Sequence, residues 1–197
     1  MNKLFETIKL YDGKLFNLFY HNKRMNDARK DLFSSDKIIR LENEINIPDE
    51  FANGLFKCKV IYDSEIISID ITTYIRRKIE RLVLVFDDNI EYTYKYLDRT
   101  ELNELKDINA PFDDEEIVIV KNGLITDCSY ANLIFLEGEN YFTPSMPLLK
   151  GTMRQKLLDE KKIIEREISI NDIEKYSEIR LVNAMIGVAE PMRKLFK

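Results

Sequence analysis

Alternation of apolar and polar positions predicts β-strands in both halves of the chain. In residues 55–62 the apolar side chains fall on one side of the alternation, and Lys57 and Lys59 fall on the other. A period of two is typical of a half-buried strand. Further strands are predicted at residues 5–10, 14–19, 66–74, 81–86, 116–121, 124–127, 132–137, 140–143 and 178–182.

Three segments are predicted to be helical. Apolar residues in 20–33 recur at intervals of three, four and one, which indicates an amphipathic helix. Asp98 is a good N-capping residue for a helix over 98–105, and Gly151-Thr152 opens a helix from Met153 to about residue 162. Because strands and helices do not alternate regularly, the pattern predicts an α+β fold with antiparallel pairing and flanking helices.

Two domains are predicted from the position where the strand-rich halves meet. A chain of 197 residues suits one domain or two small ones. The boundary is placed after residue 75, which gives a small N-terminal α+β domain over 1–75 and a C-terminal domain over 76–197.

Composition excludes several classes of protein. Apolar residues make up 45% of the chain and the net charge is −5, which is typical of a globular protein and argues against a nucleic-acid partner. No run approaches the ~20 apolar residues of a membrane span, and the first residues lack the apolar region of a signal peptide. We therefore expect a cytoplasmic protein with no membrane partner.

Metal-site and hydrolase patterns are sparse. Cys58 and Cys128 are isolated, without a C-x-x-C pair, and His21 is the one histidine. Zinc sites need clusters of cysteine and histidine, so no metal site is predicted.

Three separated segments carry residues suited to a phosphorylated ligand. Arg24 has a planar, permanently charged group that matches phosphate, and it lies at the start of a predicted helix. Asp127 ends a predicted strand and is followed by small and polar residues. Gly151 leads into a helix N-terminus, where backbone N–H groups and the helix dipole favour an anion.

These segments resemble the class IV aminotransferases, pyridoxal-phosphate (PLP) enzymes of fold type IV whose members include 4-amino-4-deoxychorismate lyase. The resemblance rests on several motifs in order along nearly the whole chain. They are Phe5-Glu6-Thr7-Ile8, Asp12-Gly13, His21-x-x-Arg24-Met25, Lys95-Tyr96-Leu97-Asp98-Arg99, Thr126-Asp127-x-Ser129-x-x-Asn132, Thr143-Pro144, Gly151-x-x-Arg154 and Asn183-Ala184-Met185.

The resemblance implies a role for each matching residue. Lys95 would form the Schiff base with PLP and then move protons. Asp127 would pair with the pyridine nitrogen and keep it protonated, so that the ring acts as an electron sink. The phosphate would be bound by Arg24, Thr152, Met153, Asn183 and Ala184. The resemblance also implies a two-domain, D-amino-acid aminotransferase-like fold with the cofactor at the domain interface, in a homodimer.

The resemblance favours a lyase that releases pyruvate and 4-aminobenzoate, a folate precursor. An aminotransferase acting on a small D- or branched-chain amino acid is the alternative, since both use the same cofactor residues. A relative that binds PLP without turnover is a further alternative, because Asp127 stands where the family usually has Glu and Asp98 where it usually has Asn. A dimeric scaffold without cofactor is the weakest. Thr7, Arg76 and Arg77 are the candidate substrate-binding residues.

Simpler structural roles compete with these assignments. Arg24 could pair with Asp27 or another acid on a helix surface. Asp127 could be a turn residue and Gly151 an ordinary helix entry. Arg76 and Arg77 could be solvated linker charges. His21 is expected to be structural, and the charge runs 113–116 and 161–162 are expected to be solvated.

Overall fold

The computed structural model describes residues 3–192, and the chain divides into two compact units. Unit one comprises the chain up to Ile75 together with Tyr94–Asp98, and unit two comprises Arg76–Thr93 and the chain from Arg99 onward. The boundary after residue 75 stays a prediction. The sequence did not indicate that the segment around Lys95 belongs with the N-terminal part.

Unit one is a four-stranded antiparallel sheet with two helices. Its strands are β1 (Leu4–Tyr11), β2 (Lys14–Leu15), β3 (Leu55–Tyr62) and β4 (Ile66–Thr73), in the order β2-β1-β3-β4. Its helices are α1 (Leu18–Phe33) and α2 (Leu41–Glu44), and a 3-10 turn covers Asp49–Phe51. Apolar side chains from alternate positions of β1 and β3 form the core with α1, and these include Leu4, Ile8, Val60, Met25 and Ala28.

Unit two contains two sheets. The smaller has the order β5-β6-β7 and consists of β5 (Arg81–Phe86), β6 (Glu115–Lys121) and β7 (Leu124–Cys128). The larger has the order β10-β9-β8-β11-β12 and consists of β8 (Asn132–Glu137), β9 (Asn140–Pro144), β10 (Ile164–Arg166), β11 (Glu178–Asn183) and β12 (Gly187–Val188). The helices are α3 (Thr100–Asn109) and α4 (Thr152–Asp159), with a 3-10 helix over Ile170–Lys175.

The α+β class with mainly antiparallel pairing is confirmed, with two exceptions. β5 pairs parallel to β6, and β9 pairs parallel to β10. The connection from β5 to β6 contains α3, which gives the chain the length that a parallel crossover needs. The connection from β9 to β10 contains α4. The sequence analysis did not foresee either crossover.

Several predicted bounds need correction. The strand expected at 14–19 ends at Leu15, because Asn17 takes a left-handed conformation and α1 begins at Leu18. Asparagine tolerates that conformation better than most residues. Asp98 does not cap α3, which begins two residues later, with Arg99 at the N-cap.

The charge run at 113–116 is solvated only in its first half, because Asp113 and Asp114 are exposed and the two glutamates are not. Glu115 and Glu116 begin β6 and are buried. Their side chains are ion-paired with Arg81 and Arg77, respectively. The prediction was wrong for these two glutamates, because it did not consider ion pairs with residues distant in sequence.

No helix among residues 3–192 has both the length and the apolar character needed to cross a membrane.

Candidate functional site

In unit one, a buried carboxylate holds the arginine of the His-x-x-Arg motif. Strand alternation places Glu6 on the face of β1 that packs against α1, where it is fully buried. His21 and Arg24 are three residues apart on α1 and so share one face of that helix. Arg24 donates to Glu6 through Nε (2.9 Å) and Nη2 (2.5 Å), and His21 Nδ1 lies 2.6 Å from Glu6 Oε2.

The charges of this cluster are fixed by their surroundings. Burial opposes the ionisation of Glu6, but Arg24 and His21 outweigh it and lower the pKa of that carboxyl to about 2. Burial lowers the pKa of His21, although Glu6 acts in the opposite direction. His21 is therefore neutral at pH 7. An ionised Glu6 can only accept a hydrogen bond, so the His21 proton is assigned to Nδ1.

Lys95 lies beside the N-terminal end of β1. Phe5 N–H donates to the Lys95 carbonyl oxygen (3.0 Å), and Tyr96 forms an isolated bridge with Leu4. The Lys95 ammonium lies 4.4 Å from the centre of the Phe5 ring. Its charge also acts on His21 and is one of the influences that lower the pKa of that residue. Unit one thus contains three of the predicted site residues, namely Thr7, Arg24 and Lys95.

In unit two, the candidate site contains the buried carboxylate of Asp127. It is 4% exposed at the end of β7. Asn132 Nδ2 donates to Asp127 Oδ1 (2.7 Å) and also to the carbonyl oxygen of Leu149 (2.8 Å), while Leu149 N–H donates to Asp127 Oδ2 (2.9 Å). Burial raises the pKa of Asp127 to about 6, and the hydrogen bonds from Leu149 and Asn132 partly offset that effect. The carboxylate is therefore mainly ionised at pH 7 and mainly protonated below pH 6.

Asn132 also explains the glycine before α4. A Cβ atom on Gly151 would lie 1.9 Å from Asn132 Oδ1, although the backbone there is ordinary, with φ of −67°. Glycine is therefore required by close approach and not by backbone conformation. The arrangement brings Asp127 and the first turn of α4, which begins with the buried Thr152, into one network through Asn132.

Arg154 connects two further parts of the motif set. It is 1% exposed, and its Nη2 donates to the carbonyl oxygen of Pro144 (2.8 Å) and to Glu165 Oε1 (2.6 Å). Its charge is one of the influences that lower the pKa of Asp127. Arg154 therefore joins the helix that follows Gly151 to the end of β9.

Asn183 caps the turn that follows β11. Its Oδ1 accepts the N–H groups of Met185 (2.9 Å) and Ile186 (3.0 Å), and its Nδ2 donates to the carbonyl oxygen of Tyr130 (3.3 Å). Asn183 and Ala184 thus lie in a turn tied to the loop after Asp127. A phosphate-binding role for Met153, Asn183 and Ala184 stays a prediction.

Arg77 has partners within unit two. It donates to Glu116 Oε2 (3.2 Å) and to the carbonyl oxygens of Asp113 and Glu115, and its guanidinium lies 5.3 Å from the centre of the Tyr130 ring. Arg77 is therefore more than a solvated linker charge, because its guanidinium donates to groups at the start of β6. Arg76 is exposed, and substrate binding by either arginine stays a prediction.

Glu116 is a residue that the sequence analysis missed. Its Oε1 accepts the N–H groups of Ile117 (3.0 Å) and Ser129 (3.3 Å), and Arg99 donates to the carbonyl oxygen of Ser129. Glu116 and Arg99 thus fix the backbone N–H and carbonyl groups of Ser129, which lies two residues after Asp127. Nothing local in the sequence signals this role. The inward-facing Glu6 does have a signal, because it is a charged residue on the apolar side of an alternating strand.

Comparison with known proteins now identifies the family. The pattern of the family described as "Amino-transferase class IV" matches residues 93–190. A Haemophilus influenzae protein described as uncharacterized is 40% identical over 190 residues, which cover 95% of this chain and 100% of that protein. A solved structure from Haemophilus somnus, described provisionally as a 4-amino-4-deoxychorismate lyase, is 36% identical with a TM-score of 0.86, covering 95% of this chain and 98% of its own. The chain belongs to the class IV aminotransferase family.

A more distant solved structure extends the comparison. A hypothetical aminotransferase from Mycobacterium tuberculosis, solved in a PLP-bound form, matches with a TM-score of 0.79 at 14% identity. The alignment covers 98% of this chain and 81% of that one. The fold type expected from the sequence is confirmed, and the chain is an enzyme of this class.

The contact between Gly151 and Asn132 gives a first prediction. Gly151→Ala will lower the free energy of unfolding by about 1–3 kcal/mol, as overpacking of a dense interior does. Urea denaturation measures the loss. In an Asn132→Ala background the same change will cost much less, because the opposing amide is gone. Equal costs in the two backgrounds would show that Asn132 does not impose the glycine.

The Glu6 cluster gives a second prediction. Glu6→Gln will lower the free energy of unfolding at pH 7 by about 3–5 kcal/mol, because it leaves Arg24 without its buried partner. A carboxyl with a lowered pKa contributes stability that is complete above its unfolded pKa and is lost as the pH falls towards about 2. The difference between the two proteins will therefore be smaller at pH 3.5 than at pH 7.

Lys23→Gln is the matched control for that experiment. Lys23 lies on the same helix and pairs with Asp27, but both side chains are about 60% exposed. An exposed pair is worth less than about 1 kcal/mol. If Glu6→Gln cost no more than Lys23→Gln, the buried pair would not be stabilising the unit.

Proposed function

We propose that the chain is a PLP-dependent enzyme in which Lys95 binds the cofactor covalently and Asp127 pairs with its pyridine nitrogen. The observation that carries the proposal is the network of Asp127, Asn132 and Leu149, in which a buried, mainly ionised carboxylate lies beside the start of α4. When bound, PLP supplies an electron sink for the substrate carbon that loses a proton.

The donor set fits such a cofactor. Asp127 Oδ1 accepts from Asn132 and Oδ2 accepts from Leu149, and because a carboxylate offers about four acceptor positions, a pyridinium N–H can be added. An ionised carboxylate keeps that nitrogen protonated. The N-terminus of α4, with Thr152 and Met153, suits the phosphate through its dipole and N–H groups, and Asn183 and Ala184 add a backbone turn.

Arg24 supports the phosphate assignment in a second way. Its pairing with Glu6 occupies two of the five guanidinium N–H groups and fixes the plane of the group. A pre-oriented guanidinium binds phosphate with less loss of side-chain entropy than a mobile one. We propose that Glu6 orients Arg24 for this purpose and that His21 completes the support.

For the reaction, we propose the lyase activity, which releases pyruvate and 4-aminobenzoate, a folate precursor. The support is the 36% identity to the Haemophilus somnus protein over nearly the full length of both chains, together with the Lys95–Arg99 and Asn183–Met185 motifs. Lys95 Nζ would accept the proton lost from the substrate ring carbon as the enolpyruvyl oxygen leaves.

An aminotransferase acting on a small amino acid is the second candidate, supported by the family itself. A relative that binds PLP without turnover is the third. We further propose a cytoplasmic homodimer that acts on a small amino substrate, as the resemblance implies.

A product assay separates these candidates. We expect PLP-loaded enzyme to form pyruvate from aminodeoxychorismate with no 2-keto acid present, and Lys95→Ala to lose that activity at least ~1,000-fold, as is typical when a covalent catalyst is removed. Lys78→Ala is the control, because Lys78 is exposed and pairs with the exposed Glu80.

Three results would oppose the lyase. Strict dependence on a 2-keto acid would identify an aminotransferase. PLP binding without any product would leave the inactive relative. Full activity in Lys95→Ala would remove Lys95 from the chemistry.

A further inference from the structure

The face of the unit-one sheet opposite α1 carries three lysines. Lys57 and Lys59 alternate on β3, and Lys9 lies directly across from Lys57 on β1. All three are half-buried. Lys59 is directly across from Thr7, and its ammonium lies 5.2 Å from the centre of the Phe5 ring. We call Lys9, Lys57 and Lys59 the lysine face.

Acidic partners for these lysines are missing among the described residues. The ion pairs of unit one leave out all three members of the lysine face. Asp70 is across from Lys59 on β4, yet it makes no ion pair with that lysine and accepts the Ser68 hydroxyl instead (3.3 Å). Lys9 and Lys57, by contrast, are like charges directly opposite each other on neighbouring strands, and such a pair destabilises a sheet. An arrangement that costs stability without a local gain is expected at functional positions.

The Phe5 ring relates this face to Lys95. The ammonium groups of Lys95 and Lys59 lie 4.4 Å and 5.2 Å from the centre of that one ring. Phe5 itself is only 8% exposed. A ligand held by Lys59 would therefore be close to the lysine to which we assign the cofactor.

We infer that Lys59 binds a carboxylate of the substrate, with Thr7 as its hydrogen-bonding neighbour and Lys57 and Lys9 supplying further positive charge. The inference rests on the proposed function and deepens it, since it assigns a residue of this chain to a carboxylate that the substrate bears away from its reacting amine. A carboxylate can accept hydrogen bonds from the Lys59 ammonium, which makes no ion pair with Asp70, and from the Thr7 hydroxyl. A substrate with an entirely apolar side chain would leave the lysine face unpaired.

Direct binding of an unreactive dianion tests this inference. The probe is isophthalate, with benzoate as the single-charge comparison, titrated by calorimetry into the PLP-loaded full chain. We expect Lys59→Gln to weaken isophthalate binding at least ~10-fold and Lys59→Arg to weaken it less than ~3-fold, because the charge is retained. Lys14→Gln, which removes an exposed lysine from β2 of the same sheet, will leave it unchanged. Binding of isophthalate by the parent protein should also exceed that of benzoate.

Thermal unfolding separates binding from packing. In low salt, Lys57→Gln will be at least as stable as the parent protein, because it removes the repulsion between Lys57 and Lys9 on the opposite strand. Unchanged isophthalate affinity in Lys59→Gln, or a lower unfolding temperature for Lys57→Gln, would overturn the inference. PLP absorbance is recorded on the same samples. The chain could fail to bind PLP and still bind isophthalate in a Lys59-dependent way. That result would contradict the proposed function and would still support the carboxylate site.

Discussion

Buried carboxylates must find hydrogen-bond donors or cations, and this constraint organises both units of the protein. Asp127 meets it through neutral donors, with Asn132 bridging the carboxylate and the Leu149 carbonyl. The bridge brings Asn132 so close to Gly151 that a Cβ atom there would clash with the amide oxygen, which favours glycine just before α4. Strand β7, the segment before α4 and the helix itself are thus linked by one amide side chain.

Unit one meets the same constraint in a different way. Glu6 is paired with Arg24 and His21, and the cation keeps its pKa at about 2, whereas the pKa of Asp127 is about 6. The two environments therefore give two carboxylates with different properties. Glu6 stays ionised at every pH at which the protein is expected to work, which suits a purely orienting role. The pKa of Asp127 is close to the working pH, which is typical of a carboxylate that shares a proton with a ligand.

Sequence patterns predicted the local elements well, and the reasons are physical. The alternation in residues 55–62 and the Asn122-Gly123 turn both act over short distances, and β3 and the β6–β7 hairpin follow them closely. Interactions between distant residues were harder to foresee. Glu116 is buried because Arg77, 39 residues away, neutralises it, and the parallel pairing of β5 with β6 depends on a crossover that no short window contains.

The candidate site was predictable only as a set of residue types in order. The motifs named Lys95, Arg24, Asp127 and the Gly151 helix entry, but they gave no partner for any of them. Asn132 belonged to one of the motifs but had no assigned role, and Lys59 was predicted only as a polar position of an alternating strand. Their importance depends on which side chains the fold brings within hydrogen-bond distance, and that information lies in tertiary contacts.

The central claim is that Lys95 carries the cofactor. Incubating the purified chain with PLP, reducing it with borohydride and mapping the modified peptide by mass spectrometry tests this claim most directly. The account predicts a single stoichiometric phosphopyridoxyl group on Lys95, which Asp127→Asn weakens and Lys95→Ala abolishes. Labelling at a different lysine, or none at saturating PLP, would contradict it.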